Sequence, residues 1–291
     1  MRPAALLYNP AAGQRHASRR LARILEALAA SGFVVDPVVS TGVGDTTARA
    51  TELATLGRVE VVFALGGDGT LREVAEGLAN TDTTLGCLPG GTANVLAYVL
   101  GIPRRPVAAA RVMGALQTGT IDIGLCQGNP FLMMASSGWD AALMARPGVA
   151  AKRWLGQIAV SWEGFLAWLE LDHPPIDIIL DGEPRRVSLV AACNIPYYGG
   201  PFKLAPDADF TDGQLEAVLY TGHGRWALAG FLRDLALGRH LRRRDVELHP
   251  FRELRILGPE TIAIQMDGDP IHPSLPITIG LANKRLRVLM R

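Results

Sequence analysis

For its first 120 residues the chain alternates short apolar runs with longer segments of helical spacing, and this alternation restricts it to an α/β architecture. "AALLY" (4–8), "FVVDPVV" (33–39), "VEVVFAL" (59–65) and "TLGCLP" (84–89) read as strands, the β-branched ones suited to burial on both faces of a parallel sheet. Between them, "HASRRLARILEALAA" (16–30) places Leu21, Ile24, Leu25 and Leu28 on one helical face, and residues 44–56 and 71–79 are further helix candidates. The expectation is a three-layer, mostly parallel α/β domain over residues 1–120.

Near residue 120 the pattern changes. Extended runs now outnumber helices: "TIDIGLCQ", "PFLMMASSG", "PIDIILDG", "RRVSLVAACN", "QLEAVLYTG", "TIAIQMDG" and "LPITIGL", separated by Asp-Gly, Gly-Asn and Pro-rich turns. That spacing predicts a β-sandwich-like domain over residues 121–281, with helical insertions near 151–170 and 226–237. The closing "KRLRVLM" reads as a strand open to either domain, and residues 282–291 are the candidate completion of the first.

The balance of 29 basic and 28 acidic side chains, a net +1, gives no sign of a wholesale nucleic-acid binder and leaves room for local basic patches. Cys87, Cys126 and Cys193 are widely spaced without CxxC pairs and read as reduced, buried thiols. The start "MRPAALLYNP" has no long apolar core of a signal peptide, and no stretch of about 18 apolar residues occurs, so a cytoplasmic protein is expected. The six histidines show no HExxH spacing and are assigned to no metal.

Three glycine-bearing turns follow predicted strands: "NPAAG" (Asn9–Gly13), "LGGDGT" (Leu65–Thr70) and "PGGTANVLA" (Pro89–Ala97). If the strands are parallel, all three converge on one rim of the sheet, where ligands of such folds bind. Gly66, Gly67 and Gly69 clear side chains from a backbone that can approach phosphate, and Thr70 can cap the next helix or donate to a phosphate oxygen. Asp68 beside a phosphate calls for a divalent cation, a basic group or a substrate hydroxyl, and so points to Mg²⁺ or phosphoryl transfer. The same residues also read as an ordinary strand–helix turn. No GxxxxGK[ST] and no GxGxxG is present, which excludes a P-loop and leaves a Rossmann site unsupported.

Together with "SSGWDAALM", "GGPFKLAPDADFTDGQLEAV" and "QMDGDP", these motifs resemble, in order, the diacylglycerol kinase catalytic-domain family, especially its soluble bacterial lipid kinases, from Asn9 to about Pro270. The resemblance implies a kinase of two domains, α/β and β-rich, with the active site in the cleft between them where ATP meets a lipid hydroxyl. It implies nucleotide contacts at Asn9, Gly13, Thr41, Gly66, Gly67, Asp68, Gly69, Thr70, Arg72 and Thr92, with Glu73 near the same site. Many relatives carry an aspartate where this chain has Val95. "ADFTDGQLEA" resembles the family's Mg²⁺ loop, with the Asp212 carboxylate and the carbonyls of Asp209 and Gln214 as ligands; without the resemblance, Asp212-Gly213 reads equally as a hairpin turn. "QMDGDP" stands where the family pattern is usually Asp-Gly-Glu. The resemblance therefore implies a general base from the pair Asp267 and Asp269, the second one methylene shorter than the usual glutamate, with Asp68 next in line.

The function expected is thus an ATP- and Mg²⁺-dependent lipid kinase acting on diacylglycerol or a related lipid, peripheral to the inner face of the membrane, with no nucleic-acid partner and with a homodimer left open. The alternatives are an NAD kinase, which also carries GGDGT but pairs Asn with Glu after the fourth-strand loop, and a nucleotide- or lipid-binding regulator without turnover. Two further features read both ways. Trp154, Ile158, Trp162, Phe165 and Leu169, preceded by Lys152 and Arg153, form a stripe that fits core packing or a membrane surface, and Arg239, Arg242, Arg243 and Arg244 fit anionic headgroups or a solvated edge.

Overall fold

The computed structural model describes residues 1–10, 17–42, 44–79, 81–146, 174–198, 201–260, 262–272 and 274–291. They form two compact units, Met1–Ile121 with Asn283–Arg291, and Asp122–Ala282. The expected helix at 151–170, with its Trp154 stripe, and Gly13 lie outside the described residues.

The first unit runs β1 (Arg2–Tyr8), α1 (Ala17–Ala30), β2 (Phe33–Val39), α2 (Asp45–Leu56), β3 (Val61–Gly66), α3 (Asp68–Leu78), β4 (Thr84–Pro89), α4 (Val95–Val99), α5 (Pro106–Val112) and β5 (Gln117–Ile121). Its sheet has the order β2-β1-β3-β4, all parallel, then the last strand Leu286–Met290, parallel to β4 and antiparallel to β5. The order follows from composition. β1, β3 and β4 are the apolar runs, and β4 is buried along its whole length. β2 carries Asp36 and Pro37, and it takes the edge, where a proline removes no ladder bond from a neighbour. Phe63 on β3 covers Gly86 on β4 so closely that no Cβ fits there, and Phe33 meets Phe63 edge-on at 5.0 Å. Ile24 and Leu28 of α1 are fully buried, as the predicted stripe requires.

α3 begins at Asp68, not at Leu71 as the apolar spacing predicts. Gly67, extended at φ −88°, precedes it and has no side chain to announce a cap, so Thr70 lies inside the first turn and packs beneath Gly66 instead of capping the helix.

The second unit contains β6 (Gly124–Cys126), β7 (Asn129–Phe131), β8 (Met134–Gly138), α6 (Trp139–Met144), β9 (Ile176–Leu180), β10 (Glu183–Val187), β11 (Leu189–Cys193), β12 (Tyr197–Tyr198), β13 (Phe202–Lys203), β14 (Leu215–Tyr220), a helix at Arg225–Ala236, β15 (Val246–Phe251), β16 (Glu253–Gly258), β17 (Ile264–Met266), β18 (Asp269–Ile271) and β19 (Ile277–Leu281). Two antiparallel sheets, β10-β9-β16-β19-β6-β7 and β15-β14-β11-β8-β17-β18, pack face to face. Ile176, Ile178, Leu254, Ile256, Ile277 and Ile279 from one sheet meet Val190, Ala192, Leu215, Ala217 and Leu219 from the other. The alternate residues Leu189, Ala191, Cys193, Val218 and Tyr220 face a second core beneath the helix Arg225–Ala236. With both faces covered, β11 is apolar throughout rather than alternating.

Candidate active site

Candidate residues occur on both units. On the first, Asn9, Thr41, the Gly66–Thr70 turn and Thr92 all follow the carboxyl ends of four adjacent parallel strands, so the topology brings them to one edge of the sheet. The turns after β3 and β4 touch through backbone. Gly90 N–H donates to Gly66 O at 2.7 Å, and a Cβ on Gly91 would lie 2.6 Å from the Gly67 Cα. Gly91 is therefore needed for the two loops to stack, and Gly67 and Gly90, where a Cβ would lie 3.3 Å from the facing loop, pack tightly there, before any ligand is considered.

Asp68 joins the same two loops. Its carboxylate accepts from Val95 N–H and Leu96 N–H, each at 3.2 Å, and so satisfies the first turn of α4. Asn94, left-handed at φ 50°, precedes α4 and turns its amide back to Gly91, accepting at 2.9 Å and donating at 2.7 Å. The cap for α4 thus comes from a residue 27 positions away. Thr41 is engaged locally, its N–H and hydroxyl donating to one Asp45 oxygen at 2.8 and 3.2 Å. That N–H and the Arg49 guanidinium hold the Asp45 carboxyl below its usual range. Thr92 is exposed, while Arg72 and Glu73 are half-buried on α3.

On the second unit, β17 and β18 are joined by Asp267 and Gly268, with φ of 52° and 84°, the backbone of a tight hairpin. Asp267 is 6% exposed and its carboxylate points inward. It accepts from Leu132, Met133 and Met134 N–H at 2.9, 2.8 and 3.0 Å, and its own N–H donates to Met134 O. Asn194 clamps the same segment, its amide donating to Leu132 O and Asp122 O, each at 2.9 Å. Asp269 opens β18, half-buried, opposite Met266.

A buried chain of polar residues that sequence reasoning left without a role supports this hairpin. Gly268 N–H donates to Gln265 Oε1 at 2.7 Å, Gln265 Nε2 donates to Ser136 Oγ at 2.6 Å, and Ser136 Oγ donates to Asp140 Oδ2. Burial pushes the Asp140 carboxyl up, and burial together with that carboxylate pushes up the hydroxyl of Tyr198. The signal in the sequence was polar side chains inside otherwise apolar strands: Ser136 beside Ser137 in "LMMASSG" and Gln265 in "TIAIQM".

In the "ADFTDGQL" loop, Asp209 Oδ1 accepts from the N–H and hydroxyl of Thr211, and Asp212 Oδ1 accepts from Gln214 N–H at 2.8 Å. Gly213 N–H donates to Asp122 at 2.7 Å, tying the loop to the start of the unit. Next to it, Glu216 Oε2 is buried without a hydrogen-bond partner among the described residues, and burial, then Asp212 and Asp207, push that carboxyl up. Oxygen donors with uncompensated negative charge fit a hard cation such as Mg²⁺. Among the described residues no cluster of at least three His, Cys, Asp or Glu side chains could hold one, so carbonyl ligands would be needed.

Residues 3–126 match the diacylglycerol kinase catalytic domain, and residues 133–290 match the YegS C-terminal NAD kinase beta sandwich-like domain. Over 278 residues, 92% of this chain and 90% of the relative, the sequence is 31% identical to "Diacylglycerol kinase" of Bacillus subtilis (strain 168). The chain belongs to the diacylglycerol kinase catalytic-domain family. It is also 33% identical over 246 residues to "Probable lipid kinase YegS-like" of Pseudomonas putida, covering 83% of this chain and 81% of that one. A diacylglycerol kinase structure from Bacillus anthracis shares the fold with a TM-score of 0.74 at 22% identity, covering 100% of this chain and 97% of that one.

Proposed function

We propose that the chain is an ATP- and Mg²⁺-dependent lipid kinase that transfers the γ-phosphoryl group to a hydroxyl of diacylglycerol or a related lipid. The observation that carries this reading is the placing of Asn9, Thr41, the Gly66–Thr70 turn and Thr92 on one carboxyl edge of a parallel sheet, in a family whose members are named diacylglycerol kinases. In this reading the glycine loops and the first-turn N–H groups of α3 receive the phosphates, with Gly13 and Arg72 completing the nucleotide contacts. Mg²⁺, when bound, supplies neutralisation of charge on the transferring phosphoryl group. Asp68 holds the two loops in register around it. The Asp212 loop, with the carbonyls of Asp209 and Gln214, is the proposed second-unit cation site. Asp269 is the proposed general base, because three backbone N–H groups already occupy the Asp267 carboxylate. Asp267 positions the hairpin on which Asp269 sits.

Labelled ATP supplied with a panel of diacylglycerol, sphingoid base, phosphatidylglycerol and isoprenoid alcohol in mixed micelles tests the proposal. It predicts one labelled lipid phosphate, lost on chelation of Mg²⁺. ATP binding without consumption of any lipid would instead identify a regulator. A second reading, NAD phosphorylation, is favoured by one observation, the match of the second unit to a domain described as NAD kinase-like. Formation of NADP⁺ from NAD⁺ and ATP decides for it.

A further inference from the structure

The helix Arg225–Ala236 buries Leu228, Phe231 and Leu235 in the second unit. At about 3.6 residues per turn, Trp226, Arg233 and Leu237 fall on the opposite stripe. Trp226 is 77% exposed and Leu237 57%, against the expectation that an apolar helix residue docks on its own sheet. Leu241 follows at 36%, beside His240, which is buried and anchored by its Nε2 to Leu204 O at 2.8 Å. Strand β13 lies against the same helix and adds Phe202, 39% exposed, and Lys203.

The charge is as uneven as the apolar surface. Residues 225–245 hold six arginines and two aspartates, a net +4 in a chain whose total is +1. Asp234 and Asp245 are engaged by Arg233 and Arg243 at 2.8–3.0 Å. Arg239, Arg242 and Arg244 are exposed and form no ion pair among the described residues. Both acidic side chains of the segment are thus spent, and its cationic excess faces outward.

We propose that this face docks on an anionic lipid bilayer, with Trp226, Leu237 and Leu241 at the headgroup boundary and Arg239, Arg242 and Arg244 on lipid phosphates. An aromatic and leucine stripe fringed by arginine matches both halves of such a surface, acyl chain and phosphate. A second copy of this chain would bring the same positive face against itself, and a nucleic acid would leave the leucines in water. Among the described residues no helix is long and apolar enough to cross a bilayer. The proposal concerns binding alone and does not rest on the kinase reading.

Flotation of the full chain with vesicles of phosphatidylcholine, alone or mixed with phosphatidylglycerol, and without ATP, tests it. Binding to the anionic vesicles is expected, falling with added salt. The triple variant Arg239→Ala, Arg242→Ala, Arg244→Ala should bind about 100-fold more weakly, at about five-fold per charge. Trp226→Ser should cost about ten-fold at every salt concentration. A charge-matched control, Arg58→Ala, Arg111→Ala, Arg185→Ala, should bind like the wild type. Equal binding by the two triple variants, no binding of the wild type to anionic vesicles, or a wild-type dimer in solution that Trp226→Ser dissociates would each overturn the proposal. Vesicle binding through this face in a chain that phosphorylates no lipid would leave it standing and remove the kinase reading.

Discussion

Asp68 and Asp267 make the same kind of contact on different units, and the difference between them is how firmly each carboxylate is held. Each carboxylate accepts backbone N–H groups from a distant loop. Asp68 takes two at 3.2 Å from the start of α4 and is itself half-buried. Asp267 takes three at 2.8–3.0 Å and is almost completely enclosed. Longer bonds and water access leave Asp68 able to reorganise around a ligand, whereas movement of Asp267 would strand three buried donors. An aspartate in a motif can thus be committed to holding backbone, as Asp267 is by its three N–H donors.

The largest expected effect is on Asp267. Asp267→Asn keeps the shape and tolerates the left-handed backbone, but it replaces one acceptor oxygen by a donor facing an N–H group. A loss of about 3 kcal/mol in urea unfolding is expected; a loss below about 1 kcal/mol would remove the holding role. Next is Gly91→Ala, which drives a Cβ against the Gly67 backbone and should lower stability by about 2 kcal/mol, with weaker ATP binding by calorimetry. Unchanged stability and ATP affinity would mean that the two loops need not stack. Asp68→Ala removes an external cap and should cost only about 1 kcal/mol. If its melting loss matches that of Asp267→Asn, the two carboxylates do not differ as described.

The smallest effect sharpens the comparison through pH. Burial raises the Asp140 carboxyl above its ordinary 3.8, so the folded state holds its proton more tightly than the unfolded chain does. The stability this contributes is full below the ordinary value and is lost as pH rises through the folded one. Asp140→Asn does not titrate. Its stability relative to wild type should therefore improve as pH rises from the ordinary value through the folded one, and a parallel pair of stability curves over that window would refute the assignment.

The first unit was largely legible because its signals are local. Buried strands announce themselves as apolar runs, and α1 by its stripe, whereas α3 gave its start away late because Gly67 carries no capping side chain. The alternation of strand and helix is enough to put the exits of parallel strands on one edge. The bonds those exits make are not local. Asp68 to Val95 and Asp267 to Met133 span 27 and 134 positions, and no periodicity encodes them. The sandwich was readable as a class from its turns and alternation, but β11, covered on both faces, hides its register in a uniformly apolar run. The chain from Asp140 through Ser136 and Gln265 to Gly268 needed coordinates, since it joins polar residues of two strands to a helix residue and a turn glycine that are distant in the sequence.

The division of labour proposed for the 267–269 hairpin is tested most directly by the turnover of Asp269→Asn, measured with ATP, Mg²⁺ and a lipid of the panel that the wild type phosphorylates, beside melting temperature and ATP affinity. Loss of a general base should lower kcat about 100-fold or more while ATP affinity and melting temperature stay at wild-type values. Wild-type kcat in Asp269→Asn would contradict the account, because the hairpin that Asp267 holds in place would then present no catalytic group.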